Sequence, residues 1–308
     1  MKFEGSLMSQ INKFKELVDQ YYSQLEELKK VAEEKLSKIP IFRIESKEKW
    51  YLDVLDGRKV VGVDGSQITP LKEVGIPLGA VQVAKVVIVH GIGKSDITHY
   101  SAFVPMEENV DLTRFRMEVE TLMEEMDGNG WLFFDGSFIL SFTTELNRRL
   151  REEYINSITA LLKKSRETQT PIIGYVDRSY AKDLAKDLGI EQIYDAYLLS
   201  DKMDLMTYTP PFRCHRDDVE MSEEVSYAYL RVSPSLPVRI EYPSWMEDMH
   251  DEIIRVVVAE CMLGSTKGYP YILERAHHYS SIGGKEKMSF MKAVGSHNIS
   301  FKWMSKLR

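Results

Sequence analysis

Two cysteines in 308 residues, Cys214 and Cys261, are too few and too far apart for a disulfide framework or a zinc cluster, so both read as packing residues. No uncharged apolar stretch approaches the roughly 18 to 20 residues that span a bilayer, and the N-terminus has no signal-peptide core. The chain is therefore read as cytoplasmic, with no membrane partner. It has no Gly-x-x-x-x-Gly-Lys-Ser/Thr loop, the phosphate cradle of many ATP-hydrolysing proteins, and no internal repeat or low-complexity tract. A net charge of -7 argues against a protein that merely coats nucleic acid. What remains is ordinary globular chemistry, 44% hydrophobic and 28% charged, in a chain long enough for one large domain or two small ones.

The average charge conceals an asymmetry. Beyond Ala276 the bases Lys285, Lys287, Lys292, Lys302, Lys306 and Arg308 face a single acid, Glu286, and the aromatics Phe290, Phe301 and Trp303 lie among them. Such an end is suited to phosphates. A second basic group, Arg148, Arg149, Arg151, Lys163, Lys164 and Arg166, falls on a predicted helix, where a solvated face is an equal reading.

The chain opens with a helix predicted over Leu7 to Leu36. Its apolar residues Ile11, Phe14, Val18, Tyr21, Leu25, Leu28 and Ala32 are spaced alternately by three and four, a coiled-coil-like seam that docks on its own domain or on a second subunit. Strands follow at Lys59 to Val63, Leu78 to His90 and Ile97 to Val104, the last two joined by Gly91-Ile92-Gly93 as a hairpin. Then come a helix over Val110 to Met126, a strand at Trp131 to Phe134, a helix from Phe138 to Lys164, a strand at Pro171 to Val176 and a helix from Tyr180 to Leu188. Asp201 to Ser222 reads as an irregular excursion. Strands at Val225 to Val232 and Val238 to Tyr242 and a helix from Trp245 to Leu263 precede the basic tail. Three hairpin-linked strands followed by alternating helices and strands predict an α/β, ribonuclease-H-like core with a mixed central sheet.

The tripeptide Asp-Gly-Ser occurs twice, each time after a short apolar run: Val60-Val61-Gly62-Val63 leads to Asp64, and Trp131-Leu132-Phe133-Phe134 leads to Asp135. A buried strand ending in a carboxylate delivers an acid to the edge of the sheet, where α/β proteins keep their chemistry. Two such acids on neighbouring strands suit a divalent cation, which wants oxygens converging from rigid elements. Plain turn chemistry is the alternative for either copy. On the intervening helix the core stripe is Leu112, Phe115, Val119, Leu122 and Met126. At about 100 degrees per residue Glu118 falls on the margin of that stripe and Glu120 points away.

The series Val-Asp64-Gly-Ser, Arg114-Phe115-Arg116-Met117-Glu118, Phe-Asp135-Gly-Ser and Gly268-Tyr269-Pro270-Tyr271-Ile272-Leu273-Glu274-Arg275-Ala276-His277 resembles the NurA nuclease family, DNA-end-processing enzymes that work with the HerA translocase. The resemblance runs from about Val60 to His277. It implies catalytic roles for Asp64, Glu118, Asp135, Tyr269 and His277, with Asp64, Glu118, Asp135 and His277 as ligands of manganese, magnesium being the alternative ion. It implies further a homodimer that digests single- and double-stranded DNA from ends with 5′ to 3′ polarity, nicks single strands, and docks on a HerA-type hexameric ATPase in end resection. Residues 1–50 are then an N-terminal helical extension and 51–308 the nuclease domain, with a helical and basic C-terminal extension. Asp177 is either a further acid near the metal or a partner of Arg178, and Asp201 matches another acid of the family pattern. Other readings of the same residues are a ribonuclease or Piwi-like nuclease, an actin-like ATPase or sugar kinase, and a non-catalytic adaptor of a translocase.

Overall fold

The computed structural model describes residues 10–44, 48–69, 78–216, 224–265 and 268–294. Ten strands form one mixed sheet: β1 (Phe42–Arg43), β2 (Lys59–Ile68), β3 (Leu78–Val89), β4 (Lys94–Pro105), β5 (Trp131–Asp135), β6 (Ile172–Val176), β7 (Thr207–Tyr208), β8 (Phe212–Arg213), β9 (Val225–Arg231) and β10 (Val238–Pro243). Their order is β1-β7-β9-β10-β6-β5-β2-β3-β4, with β8 beside β9. Strand β3 is antiparallel to β2 and β4, while β2, β5 and β6 run parallel. The half of the sheet that reads β4-β3-β2-β5-β6 thus has only β3 reversed, which is the ribonuclease-H-like arrangement, and antiparallel β10 extends it beyond β6.

Helices cover both faces, so the central strands are continuous apolar runs rather than alternating ones. On one face α3 (Val110–Glu124) and α4 (Arg148–Thr168) pack over Val61, Val63, Leu132 and Phe134. On the other, α7 (His250–Leu263) and α8 (Tyr271–Ser280) pack over Val60, Phe133 and Tyr175. Fully burying each such side chain is worth about 1.5–3 kcal/mol. Because side chains alternate along a strand, Asp64 falls on the α8 side of β2 and Gly65 on the α3 side. Gly62 explains how closely α8 seats: a Cβ there would lie 2.9 Å from the carbonyl oxygen of Ile272.

Several elements differ from expectation. Strand β2 continues through Asp64-Gly65-Ser66 to Ile68, because β3 pairs with it along its whole length. The first Asp-Gly-Ser is therefore extended strand and not a turn. The helix predicted from Phe138 is instead a buried loop at Phe138, Ile139 and Leu140, a short 3-10 turn at Ser141–Glu145, and then α4. The Phe138 and Ile139 amides donate to the Glu241 carboxylate, and the Asn147 side chain caps α4 by accepting from the Leu150 amide at 3.1 Å. The excursion after Asp201 holds the short strands β7 and β8; residues 217–222 of it lie outside the described residues. The hairpin at 91–93 is present, with Gly91 and Gly93 at φ of 79° and 64°.

In α1 (Ile11–Ser37) only Leu25, Ala32 and Leu36 of the C-terminal half are buried, and Phe14 and Tyr21 are exposed. Its predicted start at 7–9 lies outside the described residues. The remaining helices are α2 (Trp50–Leu55), α5 (Asp183–Asp187), α6 (Asp195–Leu199) and α9 (Gly284–Val294). Phe290 of α9 stacks on Phe103 of β4 at 6.1 Å. Lys302, Lys306, Arg308, Phe301 and Trp303 lie outside the described residues. Three of the six bases on α4 are paired with acids where they stand, Arg148 with Glu152, Lys163 with Glu167 and Arg166 with Glu224. Among the described residues no helix is long and apolar enough to cross a membrane.

Candidate active site

Strands β2 and β5 run in register as far as Val63 opposite Phe134, so Asp64 and Asp135 occupy matching positions one step further along adjacent parallel strands. Both project to the face covered by α8, and each has a partner from that side. His277 Nδ1 stands 2.9 Å from Asp64 Oδ2, and the Ser280 hydroxyl donates to the same oxygen at 2.6 Å. The Tyr269 hydroxyl donates to Asp135 Oδ2 at 2.7 Å.

The helix that delivers these partners is itself anchored. Pro270 stands at its N-terminal boundary, and the buried Glu260 of α7 accepts from the Ile272 amide at 2.8 Å, satisfying one of the open donors of the first turn. The buried Tyr175 hydroxyl donates to the Gly268 carbonyl, which holds the approach to Tyr269. Gly268 has φ of 78°, a conformation that a residue with a Cβ resists.

Glu118 reaches the cluster from the opposite face. It is buried, at 6% exposure, while Glu120 is exposed, as the helix phase predicts. Arg114, one turn earlier on α3, donates to Glu118 Oε1 at 2.6 Å and to Gln67 of β2 at 3.0 Å. Glu118 sits directly over Gly65, where a Cβ would come within 2.5 Å of its Oε1. The glycine of the first Asp-Gly-Ser is thus a space requirement, whereas Gly136 of the second makes a turn at φ of 152°. Ser137 then donates to the buried Glu241, which also accepts from the Phe138 amide.

The three acids repel one another. Burial pushes the Glu118 carboxyl up to about 7; Arg114 pulls it down, and the charges of Asp64 and Asp135 push it up further. Asp135 is raised too, by the protein packed around its carboxyl, with the Tyr269 hydrogen bond opposing and Asp64 adding to the rise. The Tyr269 phenol is held above its usual range by burial and by Asp135.

Among the described residues no three His, Cys, Asp or Glu side chains already stand grouped as a metal cage. The donor chemistry nonetheless fits a hard divalent cation. Carboxylates from two rigid strands and a helix bring mutual repulsion that Arg114, Tyr269 and His277 offset in part, and a cation would relieve it.

The structure thus gathers Asp64, Asp135, Glu118, Tyr269 and His277 around one end of β2 and β5. Asp201 is not among them: it pairs with Lys29 of α1 at 2.6 Å. Asp177, just past β6, is close enough for its charge to raise both Asp135 and Tyr269, and its contact with Arg178 is a loose 3.9 Å. Ser280 and Arg114 went unread as site residues. The signal for Ser280 was its place three residues after His277 on the same helix face.

Sheet order and the paired acids of β2 and β5 put the chain in the ribonuclease-H-like class. The NurA domain profile matches residues 58–282, most of the chain, and the chain belongs to the NurA family. Its fold is similar to that of the NurA nuclease from Sulfolobus solfataricus, at 17% identity and a TM-score of 0.68 over 94% of this chain and 96% of that one. It is also similar to a NurA bound to dAMP and manganese, at 11% identity and a TM-score of 0.55 over 95% and 98% of the two chains. A comparison with curated proteins gave no match.

Proposed function

We propose that this chain is a metal-dependent deoxyribonuclease that hydrolyses phosphodiester bonds, with manganese as the working ion and magnesium as the alternative. The observation that carries the reading is the matched placement of Asp64 and Asp135 on adjacent parallel strands, with Glu118 near enough for both charges to raise its proton affinity. Family membership supports nuclease chemistry, and the dAMP and manganese bound by a NurA of similar fold support the ion and a nucleotide product.

Asp64, Glu118, Asp135 and His277 would hold the ion. When bound, a divalent cation supplies a water acidic enough to attack at neutral pH and screens the phosphate charge. The chain's own groups do the rest. Ser280 and His277 fix the orientation of Asp64. Tyr269 keeps its proton and directs it at Asp135, so it restrains that carboxylate while its oxygen lone pairs accept from and order the attacking water; donation to a phosphate oxygen would require it to release Asp135. Glu118, raised to about 7, holds a proton for part of the time near neutral pH, and would have to release it to serve as a ligand.

The finer reading rests on family membership: 5′ to 3′ digestion from ends with single-strand nicking, by a cytoplasmic homodimer docked on a HerA-type hexameric ATPase, in end resection and recombinational repair. The test is cleavage of end-labelled linear DNA by wild type and Asp64→Ala with manganese, magnesium or chelator, beside a matched RNA strand. Manganese-dependent cleavage of DNA that Asp64→Ala loses is the expected result. Undiminished cleavage by the variant removes Asp64 from the mechanism; preference for RNA makes the chain a ribonuclease; binding without cleavage makes it an adaptor.

A further inference from the structure

Beyond Asp135 the cleft does not end. The depression lined by Glu118, Asp135 and Ser137 continues, across Ser137, Ile139 and Phe142, into a cavity of about 750 Å³ that holds none of the three acids. Its rim carries Arg178, Lys182, Lys186 and Arg216 against one rim acid, Glu191. Among the described residues neither Lys182 nor Lys186 is held in an ion pair, and the ion pair of Arg178 with Asp177 is a loose 3.9 Å.

The floor is built rather than incidental. Arg239, 1% exposed, is fastened by Asp183 at 2.6 Å and by Glu241 at 2.7 Å. Its Nη2 is buried with no hydrogen-bond partner. With Asp183, Glu241 and Asp195 all within 4.0 Å and its guanidinium over the Tyr227 ring at 3.9 Å, Arg239 is neutralised and fixes the shape of the floor, so the charge offered to an anion is that of the rim. Glu241, which fastens Arg239, also accepts from Ser137 and the Phe138 amide of the Asp135 turn. Floor and strand-end acid are therefore parts of one rigid unit. Phe142 and Tyr180, both lining the cavity and exposed at 49% and 72%, offer flat faces for a base beside it.

We infer that this cavity is a phosphate subsite for the single strand whose neighbouring bond lies at Asp64 and Asp135. Arg178, Lys182 and Lys186 take the phosphate, and Tyr180 or Phe142 stacks on its base. The inference rests on the nuclease reading in placing that bond, yet binding tests it without any cleavage. The phosphate is either an internal diester or a terminal monoester, chemistry that the same cations serve.

The experiment measures binding of a fluorescent single-stranded oligodeoxynucleotide in chelator, with a 5′-phosphate in one arm and a 5′-hydroxyl in the other. The proteins are wild type, the double variant Arg178→Glu/Lys186→Glu, and a control double variant, Lys163→Glu/Lys164→Glu, on α4. Arg178 and Lys186 are exposed, so folding is kept, which circular dichroism checks. Expected is a loss of affinity of about tenfold or more in the cavity variant, with a salt slope shallower by about 1.4 for two lost contacts, and no change in the control. Loss in both arms assigns an internal phosphate, and loss only with the 5′-phosphate assigns the terminal one. Unchanged affinity in the cavity variant, or an equal loss in the control, overturns the proposal. Loss of binding in a protein that cuts nothing sinks the nuclease reading and leaves the subsite standing.

Discussion

The raised proton affinity of Glu118 makes a quantitative prediction. In the folded chain its carboxyl titrates near 7, against an ordinary value of 4.5. Between those values the folded state holds a proton that the unfolded chain has released, so stability falls as pH rises through this window and the loss is complete above about 7. At roughly 1.4 kcal/mol per pH unit the difference amounts to about 3 kcal/mol, with the attraction of Arg114 already included. Glu118→Gln is neutral at every pH. In chelator, urea unfolding should find the variant as stable as wild type near pH 4 and more stable by about 3 kcal/mol at pH 8. Asp195, held up at about 6 by its burial, slopes the same way but is common to both proteins, so the difference isolates Glu118. Manganese should return much of the lost stability to wild type at pH 8 and less to the variant, which should not cleave DNA. Parallel profiles for the two proteins from pH 5 to 8 would refute the claim that Glu118 is a buried acid strained by its neighbours.

The approach of Glu118 over β2 predicts that Gly65→Ala displaces it, costing about 1–3 kcal/mol in urea unfolding and most of the cleavage rate, although its backbone conformation tolerates alanine. Ser280→Ala removes a donor from Asp64 and should lower manganese affinity by about 10- to 100-fold, read by isothermal titration; unchanged affinity would detach Ser280 from the site. Tyr269→Phe removes the hydrogen bond that holds Asp135 down, so the acidic limb of the pH–rate profile should move to higher pH. A profile that falls in height without moving would leave Tyr269 no hold on Asp135.

Much of this protein was determined by local pattern. Apolar runs leading into Asp64 and Asp135 specify buried strands that carry an acid just past the run, and the phase of the stripe through Phe115 and Val119 turns Glu118 inward while Glu120 meets water. Tyr269 and His277 were legible only through the family motif, since nothing within α8 says what its exposed face will meet. Tertiary structure decided the rest. Pairing with β3 drew the first Asp-Gly-Ser into the strand, while β5 ends at Asp135, so identical tripeptides took opposite conformations. Donation from the Phe138 and Ile139 amides to Glu241 replaced the turns of helix predicted there. Placement of α8 on Gly62 brought Ser280 to Asp64 across 216 residues of chain, and the floor beneath Arg239 joins α5, β10 and the turn after β5. Local periodicity reports which face of an element is buried; which distant partner covers that face depends on packing between elements, and no stretch of sequence contains it.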